Sequence, residues 1–273
     1  MSERPGSRET VLLLVGAARS EGLGFLAAAI AYYAFVSLIP LVILALAGAT
    51  FVGGDALAAA VAATLSDVLT EETLTLLESA LESGSGRGGA TVAGLAVLVW
   101  SGLRLFRGLH AAFARIYGTA ATTSLRNEFG DAVTTLGTMA GAVLMLAVVL
   151  GVLGSGLIPG GRLLAPLGSA LLLPVAFYPM YYILPDVPVG PLDAVPGAVL
   201  AGLGWTLLGW GFALYTTYAA TVSIYGAVGV VLLALTWFYA GALLILLGAV
   251  LNAVRAGRMD NRQLQQEPDP GPT

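Results

Sequence analysis

Long apolar runs separated by short charged or polar stretches dominate this sequence. A helix that crosses a membrane needs about 20 consecutive, mostly apolar residues, and the uncharged runs of this chain reach that length. The run from Ala194 to Val254 contains no charged residue and is long enough for two helices. The pattern therefore predicts an all-α fold, a polytopic transmembrane helix bundle with six spans: Leu23–Val52, Thr91–Leu109, Ala132–Leu157, Leu163–Pro185, Val195–Ala220 and Ile224–Val254.

Two shorter stretches outside these runs have amphipathic helical spacing. Ser7–Ser20 predicts a short interfacial helix, and its apolar run, Val11–Val15, is too short for a cleavable signal peptide. The first external loop, residues 53–90, repeats apolar residues at helical intervals and predicts short helices on the outer face. The predicted domains are a cytoplasmic N-terminal interfacial segment (1–21), a membrane domain (22–257) and a disordered cytoplasmic tail (258–273).

Composition supports a lipid environment. The chain has 273 residues, of which 58% are hydrophobic and 10% charged, whereas a soluble domain has about 25% charged residues. So few charges cannot cover a water-facing surface, which excludes a typical soluble enzyme and a disordered chain. The net charge of −4 also excludes a basic nucleic-acid-binding protein. We expect the lipid bilayer to be the main partner and no nucleic acid to be bound.

The arginines predict the orientation in the membrane. All 12 basic residues are arginine; with the N-terminus inside, ten fall in predicted inner segments and only Arg87 and Arg162 in outer ones. Cytoplasmic loops of membrane proteins carry an excess of basic residues. This distribution predicts a multi-pass protein of the cell (cytoplasmic) membrane with both termini cytoplasmic.

The sequence lacks the residues of the common catalytic and metal sites. It has no cysteine and one histidine, His110, so neither a thiolate nor an imidazole cluster can form within one chain. We predict no catalytic residues, no metal and no cofactor, and the sequence leaves the oligomeric state open.

The predicted spans contain no Asp or Glu. Acidic residues inside the membrane are typical of proton relays in pumps. Any transport is therefore expected to proceed without a buried carboxylate.

Proline and hydroxyl residues are the candidate path-lining groups. Tyr33, Ser37 and Pro40 occur in the first predicted helix, and Pro174 and Tyr178 occur in the fourth. A proline inside a helix frees a backbone carbonyl, which in lipid must be satisfied by a neighbour, a hydroxyl or water. Broken helices at corresponding places in two halves mark binding sites in transporters. The alternative is that these prolines only shape the bundle.

A basic cluster at the inner end of the second predicted helix is the candidate contact for an anion or a lipid head group. Arg104, Arg107 and Arg115 share one helical face, and His110 lies between them in the sequence. Polybasic segments beside a membrane attract anionic lipids. Two interpretations stay open: an anchor at an anionic leaflet, or a specific site for phosphate head groups or other small anionic solutes.

Four stretches, taken in order, resemble the YihY/BrkB family of membrane proteins. They are Ala27–Pro40 (AAAIAYYAFVSLIP), the segment from Trp100-Ser-Gly-Leu-Arg104 to Arg115-Ile-Tyr-Gly118, Pro196-Gly-Ala198 with Trp205, and the segment from Tyr225-Gly226 through Trp237 to Asn252. The resemblance covers residues 8–257 and implies a six-helix integral protein of the cytoplasmic membrane. Two positions depart from the family's pattern: Val250 stands where members often have Glu, and Ala114 where they often have Asn.

The leading functional hypothesis is a non-enzymatic, transporter-like membrane protein of the YihY/BrkB type that moves a small or lipid-like solute. The alternative hypothesis is a scaffold that organises the envelope and transports nothing. A third and less favoured hypothesis is a membrane-associated ribonuclease, since the family carries the old label ribonuclease BN. We regard that label as a historical mislabelling, because a hydrolytic nuclease needs a metal or an acid–base cluster.

Overall fold

The computed structural model describes residues 22–38, 87–119, 161–219 and 226–258, together with Gly16 and scattered residues between 130 and 153. Every regular element within these residues is an α-helix, which confirms the predicted all-α class. The described residues between 130 and 153 are helical. The longer described helices are α1 (Leu23–Leu38), α2 (Arg87–Tyr117), α3 (Gly161–Ile183), α4 (Val195–Ala219) and α5 (Gly226–Arg255).

The bounds of these helices follow the apolar runs of the sequence. Helices α3, α4 and α5 begin and end within two residues of the predicted spans. Helix α2 continues past the predicted end at Leu109 to Tyr117. It does so because Ala112, Phe113 and Ile116 extend an apolar face that is buried in the protein. The predicted second span ended at Leu109 because it included only residues expected to lie in lipid.

Two stretches of the described residues are long and apolar enough to cross a membrane: Val195–Tyr215 in α4 and Val231–Arg255 in α5. Leu23–Leu38 and Leu167–Ile183 form shorter apolar helices. The count of six spans remains a prediction. The interfacial helix apart from Gly16, the external loop before residue 87 and the tail from residue 259 fall outside the described residues.

The chain divides into two compact units. The larger comprises Met1–Ala31, Phe106–Val222 and Thr236–Thr273, and the smaller comprises Tyr32–Leu105 and Ser223–Leu235. In the smaller unit, Tyr32 and Tyr33 form an edge-to-face pair with ring centroids 5.4 Å apart. The larger unit contains nearly all of the buried side chains described.

Aromatic and aliphatic side chains form the core of the larger unit. Phe113 of α2 and Tyr181 of α3 are fully buried, with ring centroids 5.7 Å apart. The other large side chains that are fully buried here are Leu23, Phe106, Ile116, Met180, Leu184, Leu246 and Val250. By contrast, Leu171 and Leu207 are 71% and 65% exposed. Such exposure suits helix faces that lie against lipid, because lipid tails are as apolar as leucine.

Glycines let α3, α4 and α5 approach one another closely. A Cβ atom at Gly202 of α4 would overlap the ring and the backbone nitrogen of Pro174 in α3. A Cβ atom at Gly241 of α5 would lie 2.5 Å from Cζ2 of Trp205 in α4. Helices in lipid gain no hydrophobic free energy when they associate, so close van der Waals packing of this kind is a main source of their affinity for one another.

Substitution of Gly202 tests this packing. We expect Gly202→Ala to lower the free energy of unfolding by about 1–3 kcal/mol, because the added methyl group overpacks against Pro174. Gly209→Ala in the same helix is the matched control: nothing lies within 4 Å of its Cβ position, and the change favours the helix by about 1 kcal/mol. Denaturation in detergent micelles, followed by circular dichroism, measures both. Equal stability of the two variants would contradict the close contact.

Candidate functional site

The first turn of α4 is capped by a side chain from another helix. Helix α4 begins after Ala194, whose side chain has no hydrogen-bonding group. Asn252 of α5 supplies the partner: its Oδ1 accepts a hydrogen bond from the backbone N–H of Gly197 at 2.7 Å, and its Nδ2 donates to the carbonyl oxygen of Ala194 at 3.2 Å. Asn252 is only 2% exposed. Its amide therefore performs, inside the protein, the function of an N-cap residue.

A second buried hydrogen bond joins α3 to α5. The hydroxyl of Tyr181 donates to the carbonyl oxygen of Ile245 at 2.7 Å. Gly248 leaves the room for this ring, since a Cβ atom there would overlap the Tyr181 hydroxyl and lie 2.6 Å from the carbonyl oxygen of Gly197. Tyr181 and Asn252 thus connect α3, α4 and α5 through polar contacts within an apolar core.

Helices α2 and α5 both end at a glycine with a positive φ angle. Gly118 (φ 76°) follows α2, and Gly257 (φ 67°) follows α5. After α5, the N–H of Arg258 donates to the carbonyl five residues back at 3.1 Å, and the N–H of Gly257 donates to the carbonyl three residues back at 2.9 Å. This is the pattern of a Schellman motif, for which glycine is favoured because it has no Cβ atom. The two turns place Tyr117 and Arg258 in the lining of the same pocket.

That pocket has a volume of about 240 Å³ and lies where the ends of α2 and α5 meet the loop between α3 and α4. Its lining residues are Tyr117, Pro188, Val189, Asp193, Asn252, Ala256 and Arg258. Neither Asp193 nor Arg258 forms an ion pair with another residue of the described ranges. Two opposite charges therefore share one small pocket without neutralising each other by direct contact.

Tyr117 contributes a buried hydroxyl to this pocket. The residue is 5% exposed, and its hydroxyl has no hydrogen-bond partner among the residues described. The amide of Asn252 lies beside it without the geometry of a hydrogen bond. Burial raises the pKa of Tyr117 to about 12, against smaller, opposite effects of the positive charge of Arg258 and of the nearby Asn252 amide. The hydroxyl consequently stays protonated at physiological pH and can donate a hydrogen bond.

Two of the predicted path-lining residues lie together on an apolar groove. The groove has a volume of about 400 Å³ and is lined by Pro174, Val175, Tyr178, Val195, Ala198 and Val199. At one end, the hydroxyl of Tyr178 donates to the carbonyl oxygen of Pro191 at 3.2 Å. Pro191 belongs to the loop between α3 and α4, so this hydrogen bond ties a residue of the groove lining to that loop.

The other predicted path-lining residues belong to the first predicted span. Tyr33 and Ser37 are partly exposed residues of α1 within the smaller unit. The hydroxyl of Ser37 donates to the carbonyl oxygen of Ala34 in its own helix at 2.7 Å. Pro40 lies outside the described residues. A role of these residues in a path stays a prediction.

The arginines of the predicted basic cluster are all exposed: Arg104, Arg107 and Arg115. The guanidinium of Arg104 lies over the ring of Trp100, 5.4 Å from its centroid, which is a cation–π contact. His110 instead pairs with Asp186 of the loop between α3 and α4, with 3.1 Å between Nε2 and Oδ1. Contact of the three arginines with head groups stays a prediction.

Sequence patterns did not identify the polar pocket. Its polar residues, Tyr117, Asp193, Asn252 and Arg258, come from three separate stretches of the chain. One signal was present: Asn252 is the only Asn or Gln in α5, and a buried amide in an apolar helix is costly unless it is hydrogen-bonded. Its partners could not be deduced, because they lie 55 and 58 residues away in the sequence. Within the described ranges, no group of three or more His, Asp or Glu residues could hold a metal ion.

Comparisons with known proteins agree with a membrane location. The family described as "Virulence factor BrkB" matches residues 14–272. A UPF0761 membrane protein of Aromatoleum aromaticum is 32% identical over 174 residues, which are 60% of this chain and 42% of the relative. A UPF0761 membrane protein of Nitrosospira multiformis is 37% identical over 98 residues, 35% of this chain and 23% of the relative. A putative ribonuclease-like protein of Bacillus subtilis, YfkH, is 34% identical over 87 residues, 32% of each chain.

The matched segments thus cover less than half the length of these curated relatives. No solved structure matches the chain.

Substitution of Asn252 tests the capping interaction. Asn252→Leu replaces both amide atoms by methyl groups of similar shape, and we expect the free energy of unfolding to fall by about 2–3 kcal/mol, because the buried N–H of Gly197 loses its partner. Thr206→Val is the control: among the described residues, the buried hydroxyl of Thr206 bonds only to the Gly202 carbonyl of its own helix, at 2.9 Å. Its loss should therefore change stability by less than about 1 kcal/mol. Denaturation in micelles compares them, and equal losses would count against capping by Asn252.

Proposed function

Because this chain belongs to the virulence factor BrkB family of membrane proteins, we propose that it is a non-enzymatic, transporter-like protein of the cytoplasmic membrane. In this proposal it moves a small or lipid-like solute, and both termini lie in the cytoplasm. The lipid bilayer is its principal partner, and no nucleic acid is bound.

The apolar groove is the observation that carries the proposal. It lies along α3 and α4 and is lined in part by Pro174 and Tyr178, which the sequence singled out for a path. Its volume of about 400 Å³ is in the range of small-molecule pockets. In the proposal, an amphiphile lies with its chain along this apolar groove and its head group near the loop to which the Tyr178 hydroxyl donates.

The distribution of charge supports a mechanism without a titrating acid. Helices α3, α4 and α5 contain no Asp or Glu, whereas proton relays in pumps use intramembrane acidic groups or histidines. In the proposal, Arg104, Arg107 and Arg115 attract the anionic head groups of the inner leaflet, which recruits a charged amphiphile electrostatically.

Filling the groove should stop transport. We expect protein reconstituted in liposomes to move a fluorescently labelled phospholipid, or a solute from a broad panel, faster than empty vesicles do. Val199→Trp places a large ring in the groove and should reduce the rate to that of empty vesicles. Quenching of the labelled lipid by dithionite measures the exchange between leaflets.

The control for this experiment is Leu207→Trp, at an exposed position of the same helix outside the groove. It should retain the activity of the unmodified protein. Absence of flux for every solute and lipid would reject the transport hypothesis in favour of the scaffold. Equal rates for the two tryptophan variants would show that the groove is not the path.

The proposed orientation has a direct test, because the chain contains no cysteine and provides a clean background for labelling. We expect a membrane-impermeant maleimide to label Ser85→Cys in intact cells. It should label Ser2→Cys and Thr273→Cys only after the cells are permeabilised. Labelling of either terminus in intact cells would contradict the orientation derived from the arginines.

A further inference from the structure

The pocket between the ends of α2 and α5 and the loop before α4 contains three polar groups with unused binding capacity. The hydroxyl of Tyr117 is buried and makes no hydrogen bond within the described ranges. Asp193 and Arg258 line the same pocket, and neither forms an ion pair with a described residue. The two charges also influence the pKa of Tyr117, in opposite directions: Arg258 lowers it and Asp193 raises it.

A buried hydroxyl without a partner is energetically costly, and such a group is rare unless water, an ion, a ligand or a catalytic role uses it. His110 and Asp186 show the usual alternative, since these residues contact each other directly at 3.1 Å. Asp193 and Arg258 line one pocket but form no such direct contact. A ligand that bridges them must carry both signs of charge.

We propose that this pocket binds a small zwitterionic group, in which a phosphate or carboxylate contacts Arg258 and Tyr117 and a protonated amine contacts Asp193. Arginine is suited to the anionic end, because its guanidinium can form two parallel hydrogen bonds with a phosphate or carboxylate. The phenol of Tyr117 adds a third donor to that end. The carboxylate of Asp193 is an acceptor only, which suits the amine.

The size of the pocket sets a limit on the ligand. A volume of about 240 Å³ is smaller than most sites for drug-sized molecules. It has room for a head group or a small metabolite. The same chemistry can come from two sources: the ethanolamine head group of a phospholipid, or a free zwitterion in solution.

Zwitterion binding does not depend on the proposed transport, since a protein that binds a head group and moves nothing would have the same pocket. A binding measurement therefore tests the zwitterion site, whereas a flux measurement does not. The full chain in detergent micelles is titrated calorimetrically with glycerophosphoethanolamine, with glycerol phosphate, which lacks the amine, and with ethanolamine, which lacks the phosphate. We expect the zwitterion to bind at least about tenfold more tightly than either half, because each half leaves one charge of the pocket unpaired.

Three variants identify the contacts. Arg258→Gln and Asp193→Asn should each weaken binding of glycerophosphoethanolamine by about tenfold or more, since each removes a charge-assisted hydrogen bond. Tyr117→Phe should weaken binding while the melting temperature stays equal or rises, because it removes a buried hydroxyl that has no partner. If Tyr117 had a purely structural role, the Tyr117→Phe variant would have a lower melting temperature. Arg255→Gln, at an exposed position of α5 outside the pocket, is the charge-matched control and should bind normally.

Competition distinguishes the two sources. If the ligand is a lipid head group, the protein in nanodiscs that contain phosphatidylethanolamine should no longer bind the soluble probe, whereas the protein in nanodiscs of phosphatidylglycerol alone should still bind it. If the ligand is a free zwitterion, the protein should bind the probe equally in both kinds of nanodisc. Equal affinity for glycerol phosphate and glycerophosphoethanolamine would overturn the proposal in favour of a simple anion site, and so would unchanged binding by the Asp193→Asn protein. Failure to bind any of the three probes would overturn it outright.

Discussion

The side-chain amide of Asn252 is the interaction on which the packing of α3, α4 and α5 depends. Helix α4 begins without a capping side chain of its own at Ala194, and the N–H of Gly197 faces the protein interior. Asn252 satisfies that N–H and the carbonyl of Ala194 at once. Because an unsatisfied backbone group in an apolar core costs several kcal/mol, α4 and α5 are constrained to one register.

Close packing follows from that register. With Asn252 seated at the start of α4, Gly248 meets Gly197 one turn along, and Gly241 meets the Trp205 ring further on. The indole N–H of Trp205 donates to the carbonyl of Gly241 at 3.1 Å, so the contact is polar as well as close. A larger residue at either glycine would separate the helices and remove the hydrogen bonds. In lipid such contacts replace the hydrophobic effect as the force between helices.

Helix ends leave backbone groups that need partners, and in the larger unit two helix ends and a loop bring several polar residues together. The Schellman turn after α5, the loop before α4 and the end of α2 meet there and bring together Tyr117, Asp193 and Arg258. A chain with 10% charged residues places two of them in one small pocket. The apolar groove at Pro174 borders the same loop through the Tyr178 hydroxyl.

The apolar runs by themselves determined the helical class and the bounds of α3, α4 and α5, since a segment in lipid must satisfy its own backbone and helix length follows bilayer thickness. The sequence also pointed to Pro174 and Tyr178, because a proline or a hydroxyl group within an apolar run must have its polar groups satisfied. Only the tertiary structure paired Asn252 with Gly197 and His110 with Asp186, and only it assembled the pocket. Those contacts join residues 55 and 76 positions apart, and local spacing carries no information about which distant helix ends will meet.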